Sequence, residues 1–231
     1  MDKYVKLKDV PKGKRWEHYW NYYKIHTIIG GFLLVMGVML IKDVFFREKV
    51  DLVITVASTG YFSEEASQEL ERCLNEYARD YNGNGHKLVE MYDVTLSTDV
   101  NADPQVVMAN QTRLLAQFQN TDAAILLMDE EIYEYLGPDE EENLYAGMVD
   151  LVGEEAAPLI REDRRRIYLK DLPALQDNEY IQRLPDLFFV IRDESNVNRK
   201  NKPEISETYQ NSVDFLRNMV RNEVDSADAN S

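Results

Sequence analysis

The sequence contains very little cysteine and histidine. Its 231 residues include one cysteine, Cys73, and three histidines, of which only His86 lies beyond residue 50. A single cysteine excludes an intramolecular disulfide framework, and Ser/His/Asp or Cys/His catalysis beyond residue 50 would depend on His86 alone. Phosphate-binding glycine loops and the GxSxG and HExxH motifs are absent as well. We therefore expect no enzyme and no cofactor.

Charged side chains are absent from a long run near the N-terminus. From Ile25 to Ile41 there is no Asp, Glu, Lys or Arg, and the apolar character resumes after Asp43 with the residues VFF. A helix over residues 25–46 would be about 33 Å long, enough to cross a hydrocarbon core of about 30 Å. The sequence therefore predicts a transmembrane helix at 25–46, in contact with the lipid bilayer.

The flanks of this run predict its orientation. Seven cations and three acidic residues precede it, whereas few cations follow it. The positive-inside bias places residues 1–24 in the cytoplasm and residues 47–231 outside. Bulky residues follow the run where signal cleavage would need small ones. We interpret the segment as an uncleaved signal anchor of a single-pass cell-membrane protein.

Residues 1–24 form a basic and aromatic segment. Trp16, Tyr19, Trp20 and Tyr23 have the spacing of one helical face, typical of an aromatic belt at a membrane interface. We expect this segment to lie along the inner leaflet and then turn into the membrane. An alternative is a docking helix for a cytoplasmic or membrane partner.

The outer part of the chain is strongly acidic. Residues 1–50 hold ten cations and five anions of the 26 and 42 in the chain, which leaves 16 cations and 37 anions, a net charge of −21, for residues 51–231. Such a charge argues against nucleic acid as a partner and favours a basic protein at low salt. Its length suits one domain, predicted at 47–221, followed by a polar tail at 222–231 that we expect to be disordered.

Apolar runs alternate with helical patterns along this domain. Because βα crossovers join the first three runs, we predict an α/β fold. It would be one small parallel or mixed α/β sandwich domain, like half of a periplasmic binding protein. We expect an acidic, loop-rich insertion at 137–159. Strands are predicted at 50–57, 87–96, 122–129, 166–170 and 187–192, and helices at 64–80, from 104, at 130–136 and from 203.

The loop after the first strand supplies the candidate ligand-binding residues. Ser58, Thr59 and Tyr61 follow that strand and precede a helix N-terminus. In open α/β sheets, ligands bind at the carboxyl ends of the strands, where helix N-termini offer free N–H groups. The alternative is an ordinary turn with a capping hydroxyl. On the following helix, Cys73 has the spacing of the buried face, so we expect an inert thiol.

Two acidic patterns are candidates for metal binding. Asp80, Asn82 and Asn84 match the opening of a calcium loop, but its twelfth position is Met91, where a bidentate Glu is needed. We interpret this segment as a glycine-rich turn. Eight carboxylates between Asp129 and Glu142 are interpreted as solvated surface, with weak divalent-ion binding as the alternative.

Three segments carry a family resemblance: DYNGNG at 80–85, LLAQFQN at 114–120 and DAAILLMD at 122–129. In this order the chain resembles the first lobe of type 2 extracellular solute-binding proteins of Gram-positive bacteria, which often read D-x-N-G-D-G before the second strand. The segment WEHYWNYYK resembles small membrane-anchored proteins of clostridia-like bacteria with no assigned role. The resemblance implies an extracytoplasmic binding fold. This chain has an anchor in place of a lipobox and too few residues for a second lobe that closes over solute.

Three functions remain open from the sequence. The favoured one is a noncatalytic membrane-anchored interaction protein that engages an envelope or transporter protein. An extracellular solute receptor would need a concave, partly apolar pocket at the carboxyl ends of the strands. A carboxylate-dependent cell-envelope enzyme would need convergent acids in a cleft. The sequence names no particular small-molecule ligand.

Overall fold

The chain divides into two units, Met1–Glu48 and Lys49–Ser231, which are described separately. The structure is a computed structural model. It describes residues 11–45, 50–97, 102–119, 124–137, 144–161, 164–197 and 202–224.

One long helix dominates the N-terminal unit. A short 3-10 turn at Lys12–Lys14 leads into α1 (Arg15–Phe45), which runs unbroken through the aromatic segment and the apolar run. By length and composition, Tyr23–Lys42 can cross a membrane, and none of it is buried in the protein. The expected turn between the aromatic segment and the span is wrong, since one continuous helix contains both.

The aromatic side chains of α1 stack along one side of the helix. Trp16 lies against Tyr19 and Trp20, each with ring centroids 6.1 Å apart, and Tyr19 lies against Tyr23 at 5.6 Å. This stacking follows from the i, i+3 and i, i+4 spacing of the four residues. It confirms that they share one helical face.

In the described part of Lys49–Ser231, five strands form one mixed sheet in the order β2-β1-β3-β5-β4. The first three strands are parallel, as the two crossovers predict, and β5 runs antiparallel to both β3 and β4. The strands are β1 (Leu52–Ser58), β2 (Val89–Thr95), β3 (Ile125–Met128), β4 (Ile167–Tyr168) and β5 (Phe188–Ile191). A mixed α/β domain is therefore confirmed, and its likeness to a periplasmic binding protein stays a prediction.

Helices cover both faces of this sheet. Alternate residues of each strand point to opposite faces, so Ile125 and Leu127 pack in one apolar cluster and Leu126 and Met128 in the other. The first cluster includes side chains of α2, α5, α6 and α8, and the second includes those of α3 and α4. The helices are α2 (Glu64–Tyr77), α3 (Pro104–Gln119), α4 (Glu130–Leu136), α5 (Met148–Val152), α6 (Glu179–Arg183), α7 (Glu194–Val197) and α8 (Pro203–Arg221).

The predicted burial of Cys73 is confirmed. It lies on the inner face of α2 with Leu70, Leu74 and Tyr77, all of them buried. Loss of hydration on burial raises the pKa of the Cys73 thiol to about 11, so the thiol is protonated at neutral pH. The helix ends at Tyr77, before the predicted 80, because Ala78 takes an extended conformation.

The region after α4 is less loop-like than expected. The segment predicted as an acidic insertion at 137–159 contributes α5, a 3-10 turn at Glu154–Leu159, and buried side chains including Tyr145 and Met148. Its residues 138–143 lie outside the described residues, as do residues 225–231 of the predicted tail. The strand expected at 166–170 shortens to β4, because a 3-10 turn begins at Leu169.

Candidate functional site

The loops after β1 and β3 meet at the carboxyl edge of the sheet. These strands are parallel neighbours, with Ala57 paired to Met128, so Thr59 and Asp129 emerge side by side. One carboxylate oxygen of Asp129, Oδ2, accepts hydrogen bonds from the Thr59 N–H at 2.6 Å and the Thr59 hydroxyl at 2.9 Å. Its other oxygen, Oδ1, accepts from the Ile132 N–H at 3.0 Å and so caps α4.

Asp129 is therefore part of the framework and is only 8% exposed. The interpretation of the acidic run as solvated surface is wrong at this residue, since three donors replace its water. Glu130 and Glu131 beside it are exposed, as expected, and Asp139 to Glu142 lie outside the described residues. A buried carboxylate whose two oxygens both accept internal hydrogen bonds is poorly suited to bind a ligand.

The Ser58 side chain is also turned inward. Its hydroxyl accepts from the Gly60 N–H at 2.9 Å and donates to the Gly60 carbonyl at 3.1 Å, and the residue is buried. The structure thus brings together two of the three sequence candidates, Ser58 and Thr59, and engages their hydroxyls within the protein. Their role in ligand binding stays a prediction.

Tyr61, the third candidate, points away from this network. Its side chain is 85% exposed and lines a groove of about 370 Å³ between the start of α2 and the end of α6. The opposite side carries Tyr180, which is 54% exposed, together with Arg183. We call this the tyrosine groove; it is lined by Tyr61, Phe62, Ser63, Glu65, Ala66, Tyr180, Arg183, Leu184 and Pro185.

The tyrosine groove has an apolar floor fixed in the core. Phe62 and Leu184 are buried in the same cluster as β1, so the floor does not depend on an occupant. The Arg183 side chain pairs with Glu179 at 3.3 Å, but both are largely exposed and the pair is weak. The groove therefore offers aromatic and apolar surface, one solvated cation and one exposed carboxylate, that of Glu65.

A hydrogen bond from Asn178 to α2 holds the second wall of the groove. Asn178 caps α6 by accepting from the Tyr180 and Ile181 N–H groups, and its own amide donates to Glu69 Oε1 at 2.8 Å. Hydrogen bonds from Arg72 first, and then from Asn178, lower the pKa of Glu69 to about 2. The sequence analysis did not predict this wall. The available signal for a short helix was an Asn cap before the apolar pattern EYIQRLP.

The turn at residues 80–85 uses its polar groups internally. The Asp80 carboxylate accepts from the Asn84 N–H at 3.0 Å and the Gly85 N–H at 2.7 Å, and Asn82 Oδ1 accepts from the Asn84 N–H at 3.1 Å. Gly83 and Gly85 have positive φ, as a tight turn needs. Among the described residues, no group of three or more His, Cys, Asp or Glu side chains is placed to hold a metal.

A buried aspartate at the opposite edge of the sheet anchors this turn. Asp51, just before β1, accepts from the Asn82 N–H at 3.0 Å and from the Leu88 N–H at 2.9 Å. It therefore ties the turn to the amino ends of β1 and β2. Sequence reasoning assigned it no role, although an acid opening an otherwise apolar strand was the signal.

The β2 edge of the sheet is partly closed. In the described residues β2 pairs with β1 alone, yet side chains of two helices meet its ends. The Val89 N–H donates to the side-chain oxygen of Asn75, and the Thr95 carbonyl accepts from Asn110. With the exposed Asp93 between them, these contacts leave little edge for another strand.

A second cavity, of about 300 Å³, lies beside the amino end of β3. Its lining includes Tyr145, Asp150, Arg164, Arg165 and Asp193. Tyr145 reaches this edge because it forms a bridge to Arg192, directly after β5. The two cations and two anions offset each other, and sequence reasoning placed no candidate here.

Comparison with known proteins finds no matching family model, no matching curated protein and no matching solved structure.

Proposed function

We propose that this chain is a noncatalytic membrane-anchored interaction protein, held by α1 with its N-terminus in the cytoplasm. Its domain would lie outside and engage an envelope or transporter protein through the tyrosine groove. One observation carries this proposal. At the carboxyl edge the polar groups of Ser58, Thr59 and Asp129 are engaged internally, and Tyr61 and Tyr180 are left exposed on either side of an apolar floor.

The chemistry of the groove supports a protein partner. Tyrosine supplies a large, rigid contact area with one polar tip, and it is enriched among residues that dominate binding energy at protein interfaces. A small solute in a shallow groove that is open to solvent keeps much of its surface in water and gains little beyond the cost of immobilisation. A partner protein can cover the open side of the groove. A net charge of −21 for residues 51–231 favours a basic one.

A solute receptor is the second candidate. The groove lies near the carboxyl end of β1, where open α/β sheets bind ligands, and its volume suits a small molecule. The resemblance to the first lobe of solute-binding proteins points the same way. A carboxylate-dependent enzyme gains no support from Asp51 or Asp129, whose oxygens both accept framework hydrogen bonds.

Site-specific photocrosslinking tests the proposed contact. A benzophenone amino acid at Tyr61 of the full chain, in membranes of the native host, should give an adduct with an identifiable envelope protein. Tyr135 on α4 is the matched control, because it is an exposed tyrosine outside the groove lining. Equal adduct yields from both positions, or no adduct from Tyr61, would contradict the proposal.

The orientation needs a separate test. Alkaline phosphatase fused after Ser231 should be active, because the positive flank precedes α1 and the domain would lie outside. An inactive phosphatase, together with fluorescence from a cytoplasmic reporter at the same position, would show that the domain lies in the cytoplasm.

A further inference from the structure

The outward surface of α3 differs from the rest of the domain in charge. The helix has no acidic residue and one cation, Arg113, whereas α2 of similar length carries five glutamates. Arg113 itself interacts with Asp93, since its charge opposes the rise that burial causes in the pKa of Asp93. A helix without acidic residues on a domain of net charge −21 has the low charge that is typical of interface cores.

This surface is also apolar where it meets solvent. Met108 is 67% exposed and Leu115 is 44% exposed, with Thr112 between them. The inward side of α3 is occupied, since Leu114 is buried in the cluster with β3 and Phe118 packs against it. Among the described residues, neither Met108 nor Leu115 belongs to either apolar cluster of the domain.

The outward residues follow the spacing of a helix-pairing seam. Steps of three and four residues connect Gln105, Met108, Thr112, Leu115 and Gln119, all exposed. The order of residue types along the seam is symmetric about Thr112: glutamine, apolar, threonine, apolar, glutamine. An antiparallel copy of α3 would therefore meet its own pattern, as a two-fold contact requires.

We propose that α3 is a self-association surface, through which a second copy of this chain packs antiparallel with Thr112 near the two-fold axis. The net charge of the domain favours a second copy of this chain as the partner of α3. Two domains of net charge −21 repel, and a surface free of carboxylates is where they can meet; a basic partner would instead prefer the acidic helices.

The area sets the strength of this contact. A 16-residue helix is about 24 Å long, so a helix pair buries on the order of 500–800 Å² in total, below the ~1,200 Å² of a stable interface. The dimer would be weak in solution. Anchoring in one membrane raises the local concentration and populates it. The inference uses the membrane anchoring proposed above but not the tyrosine groove, which lies on the other face of the sheet.

Cysteine crosslinking of the full chain in membranes tests this. Thr112→Cys introduces an exposed thiol, and the native Cys73 does not compete because it is buried and protonated. A short thiol crosslinker should convert Thr112→Cys into a species of twice the chain mass. Gln68→Cys, exposed on the outer side of α2, should give none. Equal yields at both positions, or an adduct of any other mass at Thr112→Cys, would overturn the proposal.

A charge introduced into the seam provides a second test of the proposal. In the Thr112→Cys background, Leu115→Glu should lower the dimer yield by about tenfold, because it places a carboxylate against the apolar Met108 of the second copy. Val106→Glu is the matched control: Val106 is 55% exposed on the same helix but lies off the seam. A loss of dimer that is equal in the two variants would contradict the seam. Melting temperatures of both variants verify that the fold is intact.

Discussion

The carboxyl edge of the sheet has two parts of opposite character, separated by a few residues of one loop. In the first part, Ser58 and Thr59 turn inward and complete a closed hydrogen-bond network with Asp129. In the second, Tyr61 extends into solvent opposite Tyr180. Position at a strand end therefore does not by itself make a binding residue, because the polar groups of that residue can already be engaged within the protein.

Asp129→Ala should break the inner part and have the largest effect on stability. It removes the cap of α4 and leaves the Thr59 N–H without its acceptor, and we expect a loss of about 3–4 kcal/mol in the free energy of unfolding. Urea denaturation measures it. Asp129→Asn keeps one side-chain oxygen and should lose less. A loss below about 1 kcal/mol for Asp129→Ala would show that the network is not a framework.

Asn178→Ala should loosen the wall of the groove that carries Tyr180. It removes the cap of α6 and the bond to Glu69, so Tyr180 loses its fixed position. We expect a loss of about 1–2 kcal/mol in urea denaturation and a lower yield of the Tyr61 crosslink. Asn84→Ala, in a turn outside the groove lining, is the control that should leave the crosslink unchanged. A crosslink unaffected by Asn178→Ala would mean that the second wall takes no part in binding.

Acid should weaken the wall of the groove that Glu69 and Asn178 hold together. Because hydrogen bonding lowers the pKa of Glu69 from 4.5 to about 2 in the folded protein, the unfolded chain binds its proton first as pH falls. The contribution of ionised Glu69 to the free energy of unfolding is present above about pH 4.5 and is lost as pH falls toward about 2. We expect it to be about 1 kcal/mol, because solvent screens the exposed Arg72. Glu69→Gln should flatten that part of the pH profile relative to the parent chain. An unchanged profile would contradict the assignment.

Tyr61→Ala should change stability least. The side chain is almost fully exposed, so we expect a change within about 0.5 kcal/mol by urea denaturation. Tyr135→Ala on α4 is the matched surface control. A larger loss for Tyr61→Ala alone would show that Tyr61 is a packing residue.

The first half of the fold could be predicted because its signals are local. β1 and β3 are continuous apolar runs, and α2 has one clean apolar face. The elements between α4 and α8 are short, with β4 only two residues long and α6 five, too short for a period to be read. Tyr145 and Met148 belong to the core although their segment reads as an acidic loop.

The position of the candidate site could be predicted from the sequence, but not which of its polar groups are engaged within the protein. The strand end at Ser58 and Thr59 follows from the apolar run, whereas the acceptor that engages Thr59 lies 70 residues further along the chain. Tyr180 reaches the groove through a cap bonded to Glu69, 109 residues before Asn178. Such pairings are set by tertiary packing and have no local signature.

One measurement compares the two parts of this loop directly. With a benzophenone amino acid fixed at Tyr180 in the full chain, the partner adduct is quantified in Tyr61→Ala and in Thr59→Val, two residues apart. Thr59→Val removes the hydroxyl that binds Asp129 and keeps the N–H bond. We predict that Tyr61→Ala loses most of the adduct and Thr59→Val retains it. Retention in Tyr61→Ala with loss in Thr59→Val would contradict the proposal that the tyrosine groove makes the contact.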